Sequence, residues 1–272
     1  MERWRVGAIS AAAGFVAGVA GTVLASWTVR RLMRSEGVQA MRRRKTGSDT
    51  RGMKLYHSFP FRSSRCAWLL AELGKTEEVE IVPVSLHGSE ASDLMTYRTV
   101  HPHGTLPALV LRDGSVLLES SAICLYLADN LTCPDGTTLL PDKQQQAHYY
   151  NIICYATSTF DIILEPLYMQ LTHTPVNQRN TGLVDTMTRK FHICANVLSS
   201  HLCGQAFVCG DKFTAADCVL GFNVWWASVI EGGALLEEYP VLRDYLARLQ
   251  ARPAFEATLK GKRPVKPSGG SL

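Results

Sequence analysis

The sequence predicts one transmembrane helix, followed by a small α/β domain and then by an all-helical domain. Three observations support this fold class. Residues 6–29 contain no charged side chain over 24 positions. Residues 53–130 alternate short β-type runs with helical segments, whereas residues 142–260 show almost only the helical period. With 272 residues, of which 46% are hydrophobic and 19% charged, the chain is long and apolar enough for two packed domains.

The net charge of +4 is unevenly distributed along the chain. Residues 1–52 contain 10 lysines and arginines against 3 aspartates and glutamates, a balance of +7, whereas residues 53–272 contain 18 against 21, a balance of −3. This distribution argues against nucleic-acid binding by the body, because such binding needs a basic surface that residues 53–272 do not supply.

Residues 1–5 form a short flank, and residues 6–29 form the predicted membrane span. At about 1.5 Å per helical residue, this span reaches about 36 Å, enough to cross a bilayer with some tilt. A removed targeting peptide is the alternative, although its apolar core is normally only about 7–15 residues long. The arginines after the span outnumber those before it, so the positive-inside rule places the body in the cytosol. A moderately apolar span with flanking arginines favours the mitochondrial outer membrane over the endoplasmic reticulum.

Residues 30–52 are basic, polar and without a hydrophobic period, as is typical of a tether. In residues 53–130, the strings KLYHS and EVEIVPVSL alternate as strands on either side of a helix at residues 64–73. The apolar runs PALVL and SVLLE, separated by Arg-Asp-Gly, predict a hairpin. The string SSAICLYLADNL then predicts a helix that its leading serines cap.

Residues 131–141 are a linker that contains proline and glycine. Helical patterns follow at residues 143–171, 182–201, 214–230 and 240–251, with a last turn at residues 254–259. Thr214 and Asp217 have the spacing of a capping box. Residues 261–272 are predicted to be a disordered tail. None of the 8 cysteines forms a CxxC pair, which fits reduced thiols in the cytosol.

Three strings carry a resemblance to a known family: KLYHSFPFRSSRCAWLLAELG, HPHGTLPALVLRDGSVLLESSAICLYLAD and FTAADCVLGF. Together they resemble the soluble glutathione S-transferase superfamily, most closely its bacterial-type members with an active-site serine or cysteine, over residues 53 to about 260. The resemblance implies a thioredoxin-like domain that binds glutathione as co-substrate and a helical domain that shapes a pocket for an apolar electrophile. It also implies a homodimer.

Two pairs of neighbouring residues, Leu106 with Pro107 and Glu119 with Ser120, predict glutathione recognition. A cis bond before Pro107 would turn the chain and leave the backbone of Leu106 free to pair with an extended peptide, which the resemblance implies to be the cysteinyl unit of glutathione. Glu119 and Ser120 stand where a strand meets a helix. Free amides and the helix dipole favour a carboxylate there, and Glu119 receives an ammonium group. The γ-glutamyl group of glutathione carries both charges.

Chemistry on glutathione requires its thiolate, which donors at a helix N-terminus stabilise. Ser63 is the predicted donor, with Ser64, Ser58 and Tyr56 as alternatives; helix capping is the competing role for Ser63 and Ser64. In the resembling family a basic or amide residue near Thr105 contacts the glycyl carboxylate. Because Thr105 is short, His103 or Arg65 is the alternative contact.

The predicted function is therefore conjugation of glutathione to apolar electrophiles by a membrane-tethered enzyme. The first alternative is a non-catalytic, metaxin-like membrane receptor or assembly subunit of the same fold. The second is a glutathione-dependent reductase or peroxidase, which would prefer a cysteine where this loop has Arg62. No metal is expected, because His101 and His103 are too few ligands in an exposed turn, and the common nucleotide and esterase motifs are missing from the sequence.

Overall fold

The structure is a computed structural model that describes residues 51–86 and 91–259, without the side chains of residues 91–93. The predicted membrane span at residues 6–29, nearly all of the tether and the tail at residues 261–272 lie outside the described residues. Within them, the predicted order of a small α/β domain followed by a helical domain is confirmed.

A four-stranded sheet of order β2-β1-β3-β4 forms the centre of the first domain. Strand β1 runs parallel to β2 and antiparallel to β3, and β3 is antiparallel to β4. The sheet separates two apolar clusters, because successive side chains of a strand point to opposite faces. Leu55 and Leu109 join the main core, whereas Tyr56 and Ala108 contact the smaller one. The strands are β1 Lys54–His57, β2 Glu80–Pro83, β3 Ala108–Val110 and β4 Val116–Leu118.

Three helices cover this sheet: α1 Ser63–Glu72, α2 Ala91–Tyr97 and α3 Ser120–Asn130. The apolar side chains of α1 and α3, such as Leu69 and Leu127, lie in the main core that also includes the helical domain. Helix α2 lies on the other face, where the ring of Tyr97 packs against Tyr56 with centroids 5.2 Å apart. Helices α1 and α3 and the second domain therefore pack on the same side of the sheet.

The second domain is helical throughout its regular structure in the described residues. The predicted helix at residues 143–171 is divided by two π-helical turns, Ala156–Phe160 and Met169–His173. The predicted capping box of Thr214 and Asp217 is present. The helices are α4 Gln146–Tyr155, α5 Asp161–Tyr168, α6 Thr181–Leu202, α7 Ala215–Val229, α8 Pro240–Gln250 and α9 Pro253–Thr258.

Helix α7 is the central helix of the second domain and packs against α1 of the first. Together with the 3-10 turn that follows it, it forms the stretch Ala215–Leu236, whose mean hydropathy is 1.3. This is the only stretch among the described residues that is long and apolar enough to cross a membrane, and 61% of it is buried inside the protein. A buried core helix has the same length and composition, so this stretch carries no argument for a membrane span.

Gly221 permits the close approach of α1 and α8 to α7. A Cβ atom at this position would lie 2.5 Å from Leu249 Cδ1 and 3.0 Å from the ring of Trp68. We expect Gly221→Ala to lower the free energy of unfolding by about 1–3 kcal/mol, because overpacking outweighs the better helix propensity of alanine. Denaturant titration measures the change.

Gly182→Ala is the matched control for this substitution. Gly182 lies in the first turn of α6, where the nearest atom to an added Cβ is Asn180 Oδ1 at 3.7 Å. Alanine should there leave the free energy of unfolding unchanged or raise it by up to about 1 kcal/mol. Equal effects of the two substitutions would contradict the close packing described at Gly221.

Candidate active site

The carboxyl end of β1 and the turn before β3 lie side by side. Strand register pairs Tyr56 with Ala108, and continuing it by two residues places Ser58 opposite Leu106. The peptide bond between Leu106 and Pro107 is cis, and both residues are buried. Among the described residues, none forms a hydrogen bond with the Leu106 backbone. The Leu106 backbone thus has the free edge that the sequence predicts.

Glu119 and Ser120 connect β4 to α3 at the same end of the sheet. Glu119 has the left-handed backbone conformation, with φ of 69° and ψ of 121°, and its side chain is exposed. No side chain caps the N-terminus of α3. The first amides of this helix are therefore not occupied by a side-chain acceptor, and the positive end of the helix dipole lies beside the carboxylate of Glu119.

Arg65 lies at the centre of a buried hydrogen-bond network between the two domains. Its side chain is completely buried, and each of the five N–H groups of the guanidinium has an acceptor inside the protein. Nε donates to the Val219 carbonyl, Nη1 to Ser120 Oγ and Asp161 Oδ2, and Nη2 to Asp161 Oδ1 and Asn223 Oδ1. In this structure Arg65 joins the two domains, and every guanidinium N–H has an acceptor within the protein; its contact with glutathione stays a prediction.

The partner of Arg65 is the buried carboxylate of Asp161, at the start of α5. Its Oδ1 also accepts from Asn223 Nδ2 at 2.7 Å, and its Oδ2 accepts from Arg62 Nε at 2.7 Å. Burial pushes the pKa of Asp161 upward, but the charges and hydrogen bonds of Arg65 and then Arg62 outweigh burial and hold that pKa below its usual value. Asp161 is therefore ionised at neutral pH. Sequence reasoning missed this residue, because its partners are far away in the chain.

Ser63 begins α1 and is completely buried. Its Oγ lies 2.9 Å from His57 Nδ1, donates to the Ser58 carbonyl at 3.1 Å and accepts from the Ser58 amide at 3.2 Å. A hydroxyl has one proton to donate, and here that proton is directed to the protein's own backbone. In this structure the Ser63 hydroxyl fastens the loop between β1 and α1, and its role as the thiolate donor stays a prediction.

The hydroxyls of Ser64, Ser58 and Tyr56, which are the alternatives to Ser63, have different surroundings. Ser64 is buried, and its Oγ has no hydrogen-bond partner among the described residues. Ser58 and Tyr56 are half-buried. The Ser58 backbone is engaged by Ser63, and the ring of Tyr56 packs against Tyr97.

Arg62 is the charged side chain of this loop that remains partly exposed, at 32%. Besides Asp161 it contacts Glu165, with Nη2 donating to Oε2 at 3.1 Å. Its guanidinium lies 5.4 Å from the centre of a Trp226 ring. From the sequence, the charge of Arg62 beside the serines of this loop favours a thiolate, but the local pattern contains no signal for its partners on α5.

Thr105 is exposed on the turn that leads to Leu106, and it forms hydrogen bonds with His101 and Tyr97. Its Oγ1 lies 3.1 Å from His101 Nε2, and its carbonyl accepts from the Tyr97 hydroxyl at 2.6 Å. Burial, followed by the nearby His103, lowers the pKa of His101, so His101 is neutral at physiological pH. His103 itself is exposed.

Aromatic side chains of the helical domain approach the loop between β1 and α1. Phe59 of the loop packs against Trp225, with ring centroids 5.6 Å apart, and Tyr168 packs against Trp226 at the same distance. Phe59, Tyr168 and Trp226 are half-buried, and the Trp226 ring lies next to Arg62. Within residues 51–86 and 91–259, no group of three or more histidine, cysteine, aspartate or glutamate side chains could hold a metal ion.

The fold and the site together define the class of this protein. A domain of order β1-α1-β2-α2-β3-β4-α3, with a cis-proline before β3 and a helical domain behind it, is a thioredoxin-like domain with an all-helical extension. Residues 62–130 match the profile of the glutathione S-transferase N-terminal domain. Residues 183–248 match the profile of the C-terminal domain of the same family.

Individual proteins show the same similarity. The chain is 30% identical to glutathione S-transferase 3 of Zea mays over 200 residues, which are 72% of this chain and 87% of the relative. It is 27% identical to glutathione S-transferase GstA of Escherichia coli O157:H7 over 216 residues, 77% of this chain and 98% of the relative. A solved structure of glutathione S-transferase III in its apo form is 28% identical, with a TM-score of 0.64 over 77% of this chain and 96% of that one. The chain belongs to the glutathione S-transferase family, which confirms the predicted superfamily and enzyme class.

Proposed function

We propose that this protein conjugates the thiolate of glutathione to apolar electrophiles. The observation that carries the proposal is the meeting of three features at one end of the sheet. These are the free backbone edge of Leu106 before the cis-proline, the exposed carboxylate of Glu119, and the uncapped N-terminus of α3. They match, in order, an extended cysteinyl unit, an ammonium group and a carboxylate.

Glutathione carries these groups in the required arrangement. Its γ-glutamyl ammonium pairs with Glu119, and its γ-glutamyl carboxylate accepts from the first amides of α3, beginning at Ser120. Its cysteinyl backbone extends the edge at Leu106 and Pro107. Thr105 stands one residue earlier on the exposed turn, on the side where the glycyl carboxylate ends.

The reaction forms one carbon–sulfur bond. The glutathione thiol releases its proton to solvent, and the thiolate attacks the electrophilic carbon with its electron pair. In an aryl halide the halide then leaves with the electrons of the broken carbon–halogen bond. The half-buried rings of Phe59, Tyr168 and Trp226 offer an apolar surface beside the loop where the sulfur lies, which suits an aromatic or aliphatic electrophile.

Calorimetry on the full-length chain in detergent micelles tests glutathione recognition. We expect glutathione to bind at least about tenfold more tightly than cysteinylglycine, because the dipeptide lacks both charges that Glu119 and α3 bind. S-methylglutathione, which keeps all of these groups, should bind within about threefold of glutathione. Equal affinity for glutathione and cysteinylglycine would contradict the proposed γ-glutamyl site.

A reductase or peroxidase mechanism finds no support at Cys66, the cysteine nearest to the loop. Cys66 is completely buried within α1, and its Sγ contacts the Ser120 carbonyl at 3.7 Å. Burial, followed by the neighbouring Cys124, raises the pKa of this thiol well above its usual value. A buried thiol of high pKa is a poor nucleophile, so the conjugation reaction remains the proposal.

We propose further that residues 6–29 anchor the enzyme in a membrane with the body in the cytosol, and that the membrane is the mitochondrial outer membrane. The support is the uncharged stretch itself and the excess of arginines on its C-terminal side. Apolar electrophiles concentrate in lipid, so an anchor brings the enzyme to its substrates. We also propose that the enzyme is a homodimer, which light scattering would test.

Carbonate washing of membranes tests the anchor. The full-length chain should stay in the membrane pellet, whereas a variant that lacks residues 1–50 should appear in the supernatant. Protease added to intact mitochondria should digest the body if it faces the cytosol. Release of the full-length chain by carbonate, or protection of the body from protease, would contradict the proposed topology.

A further inference from the structure

Arg62 occupies the part of the proposed site where the glutathione sulfur must lie. Phe61, the residue before Arg62, packs against the apolar cluster that contains Leu106. A cysteinyl unit paired with Leu106 would therefore have its side chain near this loop, and Arg62 is the residue immediately before α1.

A chain of hydrogen bonds also links Arg62 to the γ-glutamyl end of the site. Arg62 Nε donates to Asp161 Oδ2, Arg65 Nη1 donates to the same oxygen, and Arg65 Nη1 donates to Ser120 Oγ. The donor–acceptor distances along this chain are 2.7, 3.0 and 3.1 Å. The arginine is therefore held in a fixed position relative to α3.

The guanidinium of Arg62 has hydrogen-bonding capacity left for a ligand. Its Nε and Nη2 contact Asp161 and Glu165, and no acceptor among the described residues engages its Nη1. Its side chain is 32% exposed, in contrast to the complete burial of Arg65 and Ser63. It combines a permanent positive charge, free N–H groups and access from solvent.

The hydroxyl of Ser63, the alternative donor to the thiolate, already forms a hydrogen bond within the protein. Ser63 Oγ donates to the Ser58 carbonyl, and the residue has no exposed surface. A thiolate could recruit this hydroxyl only after the loop had given up that hydrogen bond. Arg62 requires no such rearrangement.

We propose that Arg62 is the residue that stabilises the thiolate of bound glutathione in this enzyme, in place of a serine hydroxyl. The inference rests on the proposed function, because it assumes that glutathione binds with its cysteinyl unit at Leu106. Arg62 acts as a fixed positive charge and takes no proton. The thiol proton leaves to solvent, and the electron pair on sulfur remains available to attack the electrophile. Asp161 and Glu165 position the guanidinium, and they also reduce its net field at the sulfur, so the effect is smaller than that of an unpaired arginine.

The experiment follows the ultraviolet absorbance of the thiolate of bound glutathione against pH in the full-length chain, and measures the glutathione dissociation constant beside it. In Arg62→Gln we expect the midpoint of thiolate formation to rise by about one pH unit, with a dissociation constant, measured at a pH below both midpoints, within about threefold of the wild type. Arg62→Lys, which keeps the charge, should recover at least half of the lost shift. Arg243→Gln, the same change at an exposed position of α8, should leave the midpoint unchanged.

Several results would overturn the inference. One is an Arg62→Gln enzyme that binds glutathione with the midpoint of the wild type. Another is a Ser63→Ala enzyme that shows the rise expected of Arg62→Gln. If Arg62→Gln does not fold, Ser63→Ala decides: a raised midpoint in Ser63→Ala contradicts the role of Arg62, and an unchanged midpoint supports it. Absence of glutathione binding by the wild type would reject the proposed function itself, and with it this inference.

Discussion

Asp161→Ala is expected to destabilise the protein by about 3–5 kcal/mol. The substitution removes the carboxylate that accepts from both terminal nitrogens of the completely buried Arg65. A buried guanidinium without its counter-charge is far more costly than a lost surface ion pair. For a protein of this size the melting temperature should fall by about 10 °C. Thermal and denaturant unfolding followed by circular dichroism measure both quantities.

Glu165→Ala is the matched control, because it removes the other carboxylate that contacts Arg62. The Glu165 side chain is 56% exposed, and an exposed ion pair contributes at most about 1 kcal/mol. The Asp161 variant should therefore be several times more destabilised than the Glu165 variant. Similar losses for the two would show that the buried cluster does not join the domains as described.

The effect of Asp161 should also depend on pH. Its pKa is lowered on folding from the usual value of 3.8, so the ionised carboxylate contributes stability above that value. This contribution is lost as pH falls through the lowered pKa of the folded state. The difference in unfolding free energy between wild type and Asp161→Asn should therefore be smaller at about pH 3 than at neutral pH. A difference that grows on acidification would contradict the assignment.

Glu119→Gln is expected to weaken glutathione binding by about 10–100-fold, because it removes the charge that pairs with the γ-glutamyl ammonium. Glu119 is exposed, and glutamine keeps its size, so the free energy of unfolding should change by less than about 0.5 kcal/mol. Calorimetric titration with glutathione measures the loss. Affinity for cysteinylglycine, which lacks the γ-glutamyl group that Glu119 binds, should be unchanged.

Glu77→Gln provides the control for a general charge effect. Glu77 is also exposed, but it lies before β2, at the opposite end of the sheet from Glu119. Its replacement changes the net charge equally and should leave glutathione affinity unaltered. A loss of affinity in both variants would indicate that the protein's overall charge, and not a γ-glutamyl site, governs binding.

The parts of the fold that were predictable from sequence are those that local signals encode. The strands alternate apolar residues, the hairpin carries Arg-Asp-Gly, and Thr214 and Asp217 have capping-box spacing. Local signals also mark the turn at Leu106 and Pro107 and the junction at Glu119, so both could be found in the sequence. Each depends on residues next to it in the chain.

The hydrogen-bond partners of Arg65 and Ser63 were not predictable from the sequence, because they are set by tertiary structure. Nothing near Arg65 in the sequence indicates that Asp161, 96 positions later, will accept from it at 2.6 Å. A serine at the start of a helix has the same local pattern whether its hydroxyl faces a ligand or, like that of Ser63, the backbone of Ser58. The charge of Arg62 in this loop was visible in the sequence, but its carboxylate contacts were not, since α5 supplies them.

The most direct test of the central claim is the initial rate at which the full-length chain forms the glutathione conjugate of chlorodinitrobenzene. We expect this rate to be proportional to enzyme concentration, to saturate with glutathione and to exceed the uncatalysed rate. Glu119→Gln should lower the rate at subsaturating glutathione while leaving the fold intact. A well-folded wild-type chain that binds glutathione but forms no conjugate with this or any other aryl halide would contradict it.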